Sequence, residues 1–177
     1  LGDVYKRQDQ YYDTLSGLQK SIRGSDPNGA MYYFAKLIEY NDIESLERRV
    51  LVCAYEDVGL ANPNACMRTV AAFQAARTVG FPEARIPLAE AAVLLATAPK
   101  SNSAYMAINN AIRDIETIDT GSIPRQLQNK HYDGEGNAEK GQNYLYPHDY
   151  PNHYVVQQYL PDNIKAVSYT HLTLPTI

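Results

Sequence analysis

The eleven residues KSIRGSDPNGA, Lys20 to Ala30, combine two cations, two glycines and a Ser-Asp-Pro step, which is the vocabulary of a phosphate-binding loop. A Walker loop needs Gly-x-x-x-x-Gly-Lys-Ser/Thr after a strand, so that main-chain N–H groups and the lysine surround the phosphates. Gly24 and Gly29 have the glycine spacing, but Ala30 stands where the lysine belongs and no strand pattern precedes the loop. The stretch therefore reads as a helix corner: Gly24 stops one helix, Asp26 caps the next, and Pro27 takes its first position. Lys20 and Arg23, beside that helix start, are left as a candidate contact for an anion such as a DNA phosphate.

A second stretch, RRVLVCAYEDVGLANP, places Glu56 and Asp57 at the end of a helical pattern, where the helix dipole disfavours negative charge. Arg48 and Arg49, two turns earlier, are the expected local compensation, and Asn62-Pro63 opens the following helix. Two readings stand here: a charged network locking a corner, or a carboxylate pair for acid–base chemistry. The second lacks a nucleophile or a metal ligand beside the pair. In APKSN, Lys100 follows a helix end and suits its dipole, and Ser101 or Asn102 caps the next helix. A Ser–Lys catalytic pair there would need burial and a general base. His131, His148 and His153 lie in a tyrosine-rich region and His171 near the C-terminus, with no His-x-x-x-His and no Cys-x-x-Cys, so no metal site is expected.

The elements that must position these residues are helices. Tyr11, Leu15, Leu18 and Ile22 recur at helical spacing; Met31, Phe34, Ala35 and Ile38 form the next stripe; Ile43, Leu46, Val50 and Cys53 the third, ended by Gly59. Cys66, Val70 and Phe73 mark a fourth helix. The fifth, RIPLAEAAVLLATA, is apolar nearly all round, which suits a central position. Tyr105, Ile108, Ile112 and Ile115 give the stripe of a sixth. From about Thr117 the helical period disappears into Gly, Pro, Asn, Tyr and Gln, predicting a short helix near Pro124 to Gln128 and then an extended arm. With 15 tyrosines and no tryptophan in the chain, that arm is too aromatic for a plain disordered tail.

The 177 residues suit one domain with an arm, and 45% apolar with 20% charged residues is ordinary for a globular protein. A formal charge of −4 argues against a surface that grips nucleic acid throughout, while leaving room for a local basic patch. Cys53 and Cys66 fall inside helical patterns and read as reduced thiols of a cytoplasmic protein. No run approaches the ~20 apolar residues of a membrane span, so no membrane partner is expected. LGDVYKRQ and AVSYTHLTLPTI differ in style from the interior and resemble translated sequencing adapters. The expected organisation is residues 1–8 as a non-native tail, 9–116 as a helical core, 117–165 as a short helix and arm, and 166–177 as a second non-native tail. The fold class is all-α, a compact bundle of about six helices with a C-terminal Tyr/Pro-rich arm.

Four stretches in order, KSIRGSDPNGAMYYFAKLIE, RRVLVCAYEDVGLANP, GFPEARIPLAEAAVLLATAPKSNSAYMAI and YLYPHDYP…QQYLPD, resemble the C-terminal part of the replication-associated recombination protein A family, also called MgsA and related to the Werner-helicase-interacting ATPase. The resemblance covers roughly Tyr11 to Asp162. It implies a bacterial, cytoplasmic, nucleoid-associated AAA+ ATPase related to clamp loaders and acting at stalled forks, whose ATP site lies in an N-terminal domain. It further implies that the C-terminal helices assemble a homotetramer in a clamp-loader-collar-like manner, and that DNA and replication proteins are partners of the whole protein. This sequence carries no Walker A lysine and no Walker B run, so ATP and Mg²⁺ are expected only in the N-terminal domain, and no catalytic, cofactor or metal residue is assigned here.

The leading expectation is thus a non-enzymatic oligomerisation domain in which Asp26, Glu56, Asp57, Asn62, Ser101 and Asn102 fasten helix corners. The alternative is a DNA-contacting module using Lys20, Arg23, Arg48, Arg49 and Lys100. A small hydrolase using Glu56 and Asp57 comes third.

Overall fold

A computed structural model describes the backbone of residues 2–128 and 143–170, with side chains from residue 9 onward. Among these residues the fold is all-α: six α-helices and several short 3₁₀ turns, with no strand. The chain divides into two compact units, residues 1–106 and 107–177.

In the first unit, α1 (Gly2–Arg23) packs on α2 (Pro27–Glu39), and α5 (Arg85–Thr97) packs on α1, α2 and α4 (Pro63–Val79), with α3 (Ile43–Cys53) against α1 and α4. One continuous core joins them: Leu18 and Ile22 of α1, Phe34 and Leu37 of α2, Leu46 and Val50 of α3, Phe73 of α4, and Leu88 and Leu95 of α5 are fully buried. Ala91, Ala92 and Ala96 are buried on α5, where their small side chains let neighbouring helices approach closely. Ile86 and Val93 on the same helix remain exposed, so its apolar circumference is covered on its inner side only.

At the α1–α2 corner the first helix ends at Arg23, just before Gly24 as expected, and Pro27 opens the second. Gly24 does not adopt the left-handed conformation; Ser25 does, at φ 58°. The Gly24 N–H donates to the Lys20 carbonyl at 2.8 Å and the Asp26 N–H to that of Ser21 at 2.9 Å, closing the last turn. Gly24 is needed for room: a Cβ there would lie 3.0 Å from the Lys20 carbonyl oxygen. Asp26 Oδ1 then accepts from the main-chain N–H groups of Asn28 and Gly29 at 3.0 and 3.1 Å, and Pro27 follows as the first helical residue.

The buried face of α2 is Ala30, Phe34 and Leu37, whereas Ala35 is exposed and Met31 and Ile38 are half-buried. The expected stripe is therefore rotated about its axis, because a run apolar on two faces does not say which one meets α1 and α5. On α4, similarly, Thr69 rather than Val70 is fully buried; its hydroxyl donates to the Ala65 carbonyl at 2.8 Å and so enters the core satisfied.

Asp42 caps α3, accepting from the Ser45 N–H at 3.1 Å and from the Tyr11 hydroxyl of α1 at 3.1 Å. Hydrogen bonding from the Ser45 side chain first, then from its main-chain N–H, with Tyr11 adding to both, holds the Asp42 carboxyl below its ordinary range against the opposing effect of burial. A depressed carboxyl stabilises the fold above the ordinary aspartate range, and that contribution disappears as pH falls through the folded value. Asp42→Ala is expected to cost about 1 kcal/mol at neutral pH, the usual worth of such a cap. The difference from the parent should shrink in urea unfolding series carried below the ordinary aspartate range; a constant difference across that window would contradict the assignment.

Both cysteines are free and buried. The Cys66 thiol donates to the Ala54 carbonyl at 3.0 Å, and burial pushes Cys53 up to about 12.

The sixth helix, α6 (Ser103–Thr117), contributes no buried residue. Its stripe is present as a helical face, but Tyr105, Ile108, Ile112 and Ile115 are 43%, 56%, 44% and 70% exposed. The sequence pattern marks this face as one that should be covered, and among the described residues it is exposed.

Among the described residues of the second unit, side-chain amides bond segments distant in sequence, and Ile164 is buried. Arg125–Leu127 forms a 3₁₀ turn where a short helix is expected, and Pro147–Asp149 and Pro151–His153 form two more in the YPHDYP region. Gln157 both donates to the Leu145 carbonyl, at 2.7 Å, and accepts from its N–H, at 3.2 Å. Gln126 donates to the Gln158 carbonyl at 3.0 Å, and Asn163 to that of Asp119 at 2.9 Å. Tyr144, Tyr146, Tyr150 and Tyr159 are exposed. His148 and His153 lie with ring centroids 5.0 Å apart; His131 and His171 fall outside the described residues.

Candidate functional site

Three helix ends meet in the first unit. The C-terminus of α1 brings Arg23, the residues after α3 bring Glu56 and Asp57, and the segment between α5 and α6 brings Lys100, Ser101 and Asn102. Together with Tyr105 they line a cleft of about 490 Å³.

The acidic pair does not end an α-helix, as the sequence pattern implies. Ala54–Val58 is a π-helical turn continuing α3, a wide geometry that often accompanies functional sites. Within it Asp57 is 5% exposed and Glu56 half-buried. Gly59 follows at φ 45°, a conformation open to glycine, and a Cβ there would stand 3.0 Å from the Ser101 carbonyl. The Ser101 N–H donates to the Asp57 carbonyl at 2.8 Å, so the α5–α6 connection is bonded directly to the π turn.

The compensating charge comes from elsewhere than expected. Arg23, 34 residues before Asp57, donates from Nε to Asp57 Oδ1 at 2.6 Å and from a terminal nitrogen to Glu56 Oε1 at 3.0 Å. The hydrogen bond to Asp57 is the chief reason that its guanidinium is held above its ordinary range. Arg48 and Arg49, the expected partners, face another groove with Tyr11, Tyr12 and Asp42, where Arg49 donates to Gln19 Oε1 at 3.0 Å. Sequence proximity within one helix misled here, because the π turn carries the acidic pair round toward α1.

Lys100 donates to the carbonyls of Ala98, at 2.6 Å, and Ala96, at 3.1 Å, and to Ser25 Oγ at 3.1 Å. It thus closes the C-terminus of α5 and ties it to the α1–α2 corner. Burial lowers its pKa, with Asp57 acting in the other direction. Ser101 Oγ lies 3.0 Å from Ser103 Oγ at the start of α6. Asp26 and Asn62 do not line this cleft; Asn62 accepts from the Ala65 N–H at 3.1 Å as the cap of α4.

Chemically the arrangement is a clamp. One guanidinium bridges both carboxylates, and the lysine ammonium is spent on carbonyls and a hydroxyl rather than on Ser101. Among the described residues, no group of three or more His, Cys, Asp or Glu could hold a metal ion. The five cations considered for DNA contact do not form one patch: Arg23 and Lys100 belong to the clamp, Arg48 and Arg49 to the other groove, and Lys20 to the exposed side of α1.

Two cross-helix ion pairs escape sequence reading altogether, Arg68 with Glu90 and Arg77 with Glu47. Each joins residues at least 22 positions apart, for which the local pattern holds no signal.

No helix among the described residues is long and apolar enough to cross a membrane. Residues 24–174 match the family described as MgsA AAA+ ATPase C terminal. The chain is 53% identical over 164 residues to Replication-associated recombination protein A of Bacillus subtilis, covering 93% of this chain and 39% of that protein. It is 37% identical over 163 residues to the protein of the same name from Escherichia coli K12, covering 91% and 36%. To ATPase WRNIP1 of Dictyostelium discoideum it is 34% identical over 177 residues, covering 97% and 20%. The chain therefore spans two fifths or less of the length of these relatives.

Proposed function

The chain belongs to the MgsA AAA+ ATPase C-terminal family, and from that premise we propose that it is the module that joins copies of such an ATPase into a tetramer serving DNA replication and recombination. The observation that carries this reading is the bare face of α6. Tyr105, Ile108, Ile112 and Ile115 follow one helical stripe, as core residues do, yet lie open. Stable interfaces between subunits are built from such apolar and aromatic surface. The exposed tyrosines of the second unit add surface of the same kind.

In this reading ATP and Mg²⁺ are bound by a part of the parent protein outside these residues, and the clamp at the helix corner serves rigidity rather than turnover. DNA and replication proteins are partners of the whole assembly, which works in the cytoplasm like a clamp-loader collar. The DNA-contact alternative loses support because its cations are divided and three of them are bonded within the fold.

Light scattering of the full chain at micromolar concentration is expected to give the mass of four copies of the 19.8 kDa chain. A monomer at that concentration would overturn the reading.

A further inference from the structure

Four identical chains close either as a ring, in which each offers two different surfaces, or as a pair of pairs, in which each offers two self-complementary ones. The α6 stripe is one such surface, and by itself a small one. Its four large side chains, about half open, offer roughly 400 Å², half of the ~800 Å² that each partner brings to a standard stable interface. A second surface must come from elsewhere on the chain.

Apolar side chains also stay open on α5, where Ile86 and Val93 are exposed. Along α4 and α5 run two adjoining hollows of about 230 and 480 Å³, which share Arg68, Glu90 and Leu94. Ala71, Ala72 and Ala75 of α4 and Ala91 of α5 line the first, so its walls are short side chains. Arg68 and Glu90 are the charged residues of both hollows and pair with each other, so the groove calls for an uncharged occupant. Two such grooves set face to face would enclose a void, because neither brings a side chain long enough to fill the other. A ridge of bulky side chains would fill it. Tyr105, Ile108, Ile112 and Ile115 form such a ridge, uncharged along its crest. The lengths agree as well: α6, of 15 residues, is about 22 Å long and α5, of 13 residues, about 20 Å.

We propose that the α6 stripe of one copy seats in the α4–α5 groove of the next, a head-to-tail contact that closes as a ring of four. The proposal rests on the self-association reading above and names the surface that α6 meets.

A mixing experiment with two groups of variants tests it, read by light scattering at micromolar concentration with circular dichroism as the check on folding. Ala75→Glu puts a charge at an exposed position in the groove, and Val93→Glu does so on the facing helix. Each groove variant alone, and the Ile108→Glu/Ile112→Glu stripe variant alone, is expected to fall from the mass of four copies to that of one. An equimolar mixture of a groove variant with the stripe variant should rise to two copies, because one intact stripe then meets one intact groove. Two copies in each variant alone would show two self-complementary surfaces, and four copies in both groove variants would remove the groove from the contact. Either result, or a mixture that stays at one copy, would overturn the proposal while leaving self-association of the parent standing. A parent chain of one copy would overturn both.

Discussion

Arg23→Ala is expected to destabilise the fold by about 2–3 kcal/mol, more than a half-exposed arginine ordinarily contributes. The side chain itself is 49% open to solvent, but its partner Asp57 is only 5% exposed. Removing the guanidinium leaves a buried carboxylate with neither oxygen hydrogen-bonded, since Oδ2 has no donor to begin with. Breaking a buried pair from one side typically costs ~3–5 kcal/mol; water entering where Arg23 stood reduces the figure here. Asp57→Asn removes the charge that needs compensating and keeps an oxygen able to accept from Arg23 Nε, so about 1 kcal/mol is expected. Arg23→Lys should fall between, because an ammonium cannot fork across Glu56 and Asp57. Urea unfolding of the three variants gives the order directly. An Arg23→Ala cost within about 0.5 kcal/mol of the parent would show that the clamp carries little of the fold's stability.

Ile112→Glu, alone and combined with Ile108→Glu, is expected to separate the subunits while leaving each one folded. Neither isoleucine is buried within a chain, so their replacement removes no intrachain core contact, and glutamate is a good helix former. A residue at the centre of an interface is often worth ~2 kcal/mol or more, which corresponds to roughly 30-fold in dissociation constant for one change. The double change should abolish self-association at micromolar concentration. Light scattering reads the mass, and far-ultraviolet circular dichroism of the same samples reads the helix content. Loss of helix in step with loss of mass would mean that α6 folds only in the assembly. Unchanged mass in the double variant would remove α6 from the interface.

The two predictions rest on different kinds of legibility. The helices were readable because their signals are local: Asp26-Pro27, Asp42 and Asn62-Pro63 are caps that act within four residues, and the α6 stripe repeats along one face. Asp26, Asp42 and Asn62 indeed accept from the N–H groups that a cap should satisfy. The α6 stripe is equally plain in the sequence, although the pattern says only that the face is apolar, not what meets it. Buried positions on α2 and α4 were displaced because several faces of those helices are apolar enough to bury, and only the neighbours select one.

The sequence by itself determined the caps that open α2, α3 and α4, the all-α class and the absence of a Walker loop at Lys20 to Ala30, since each depends on residues within a few positions of one another. Tertiary structure alone decided which cation answers Glu56 and Asp57. A π turn of five residues, followed by Gly59 in a conformation suited to glycine, directs the acidic pair to α1 rather than back along α3. Charge attraction is strong only at contact distance, and contact between residues 34 positions apart is made by the packing of whole helices, which no local spacing records.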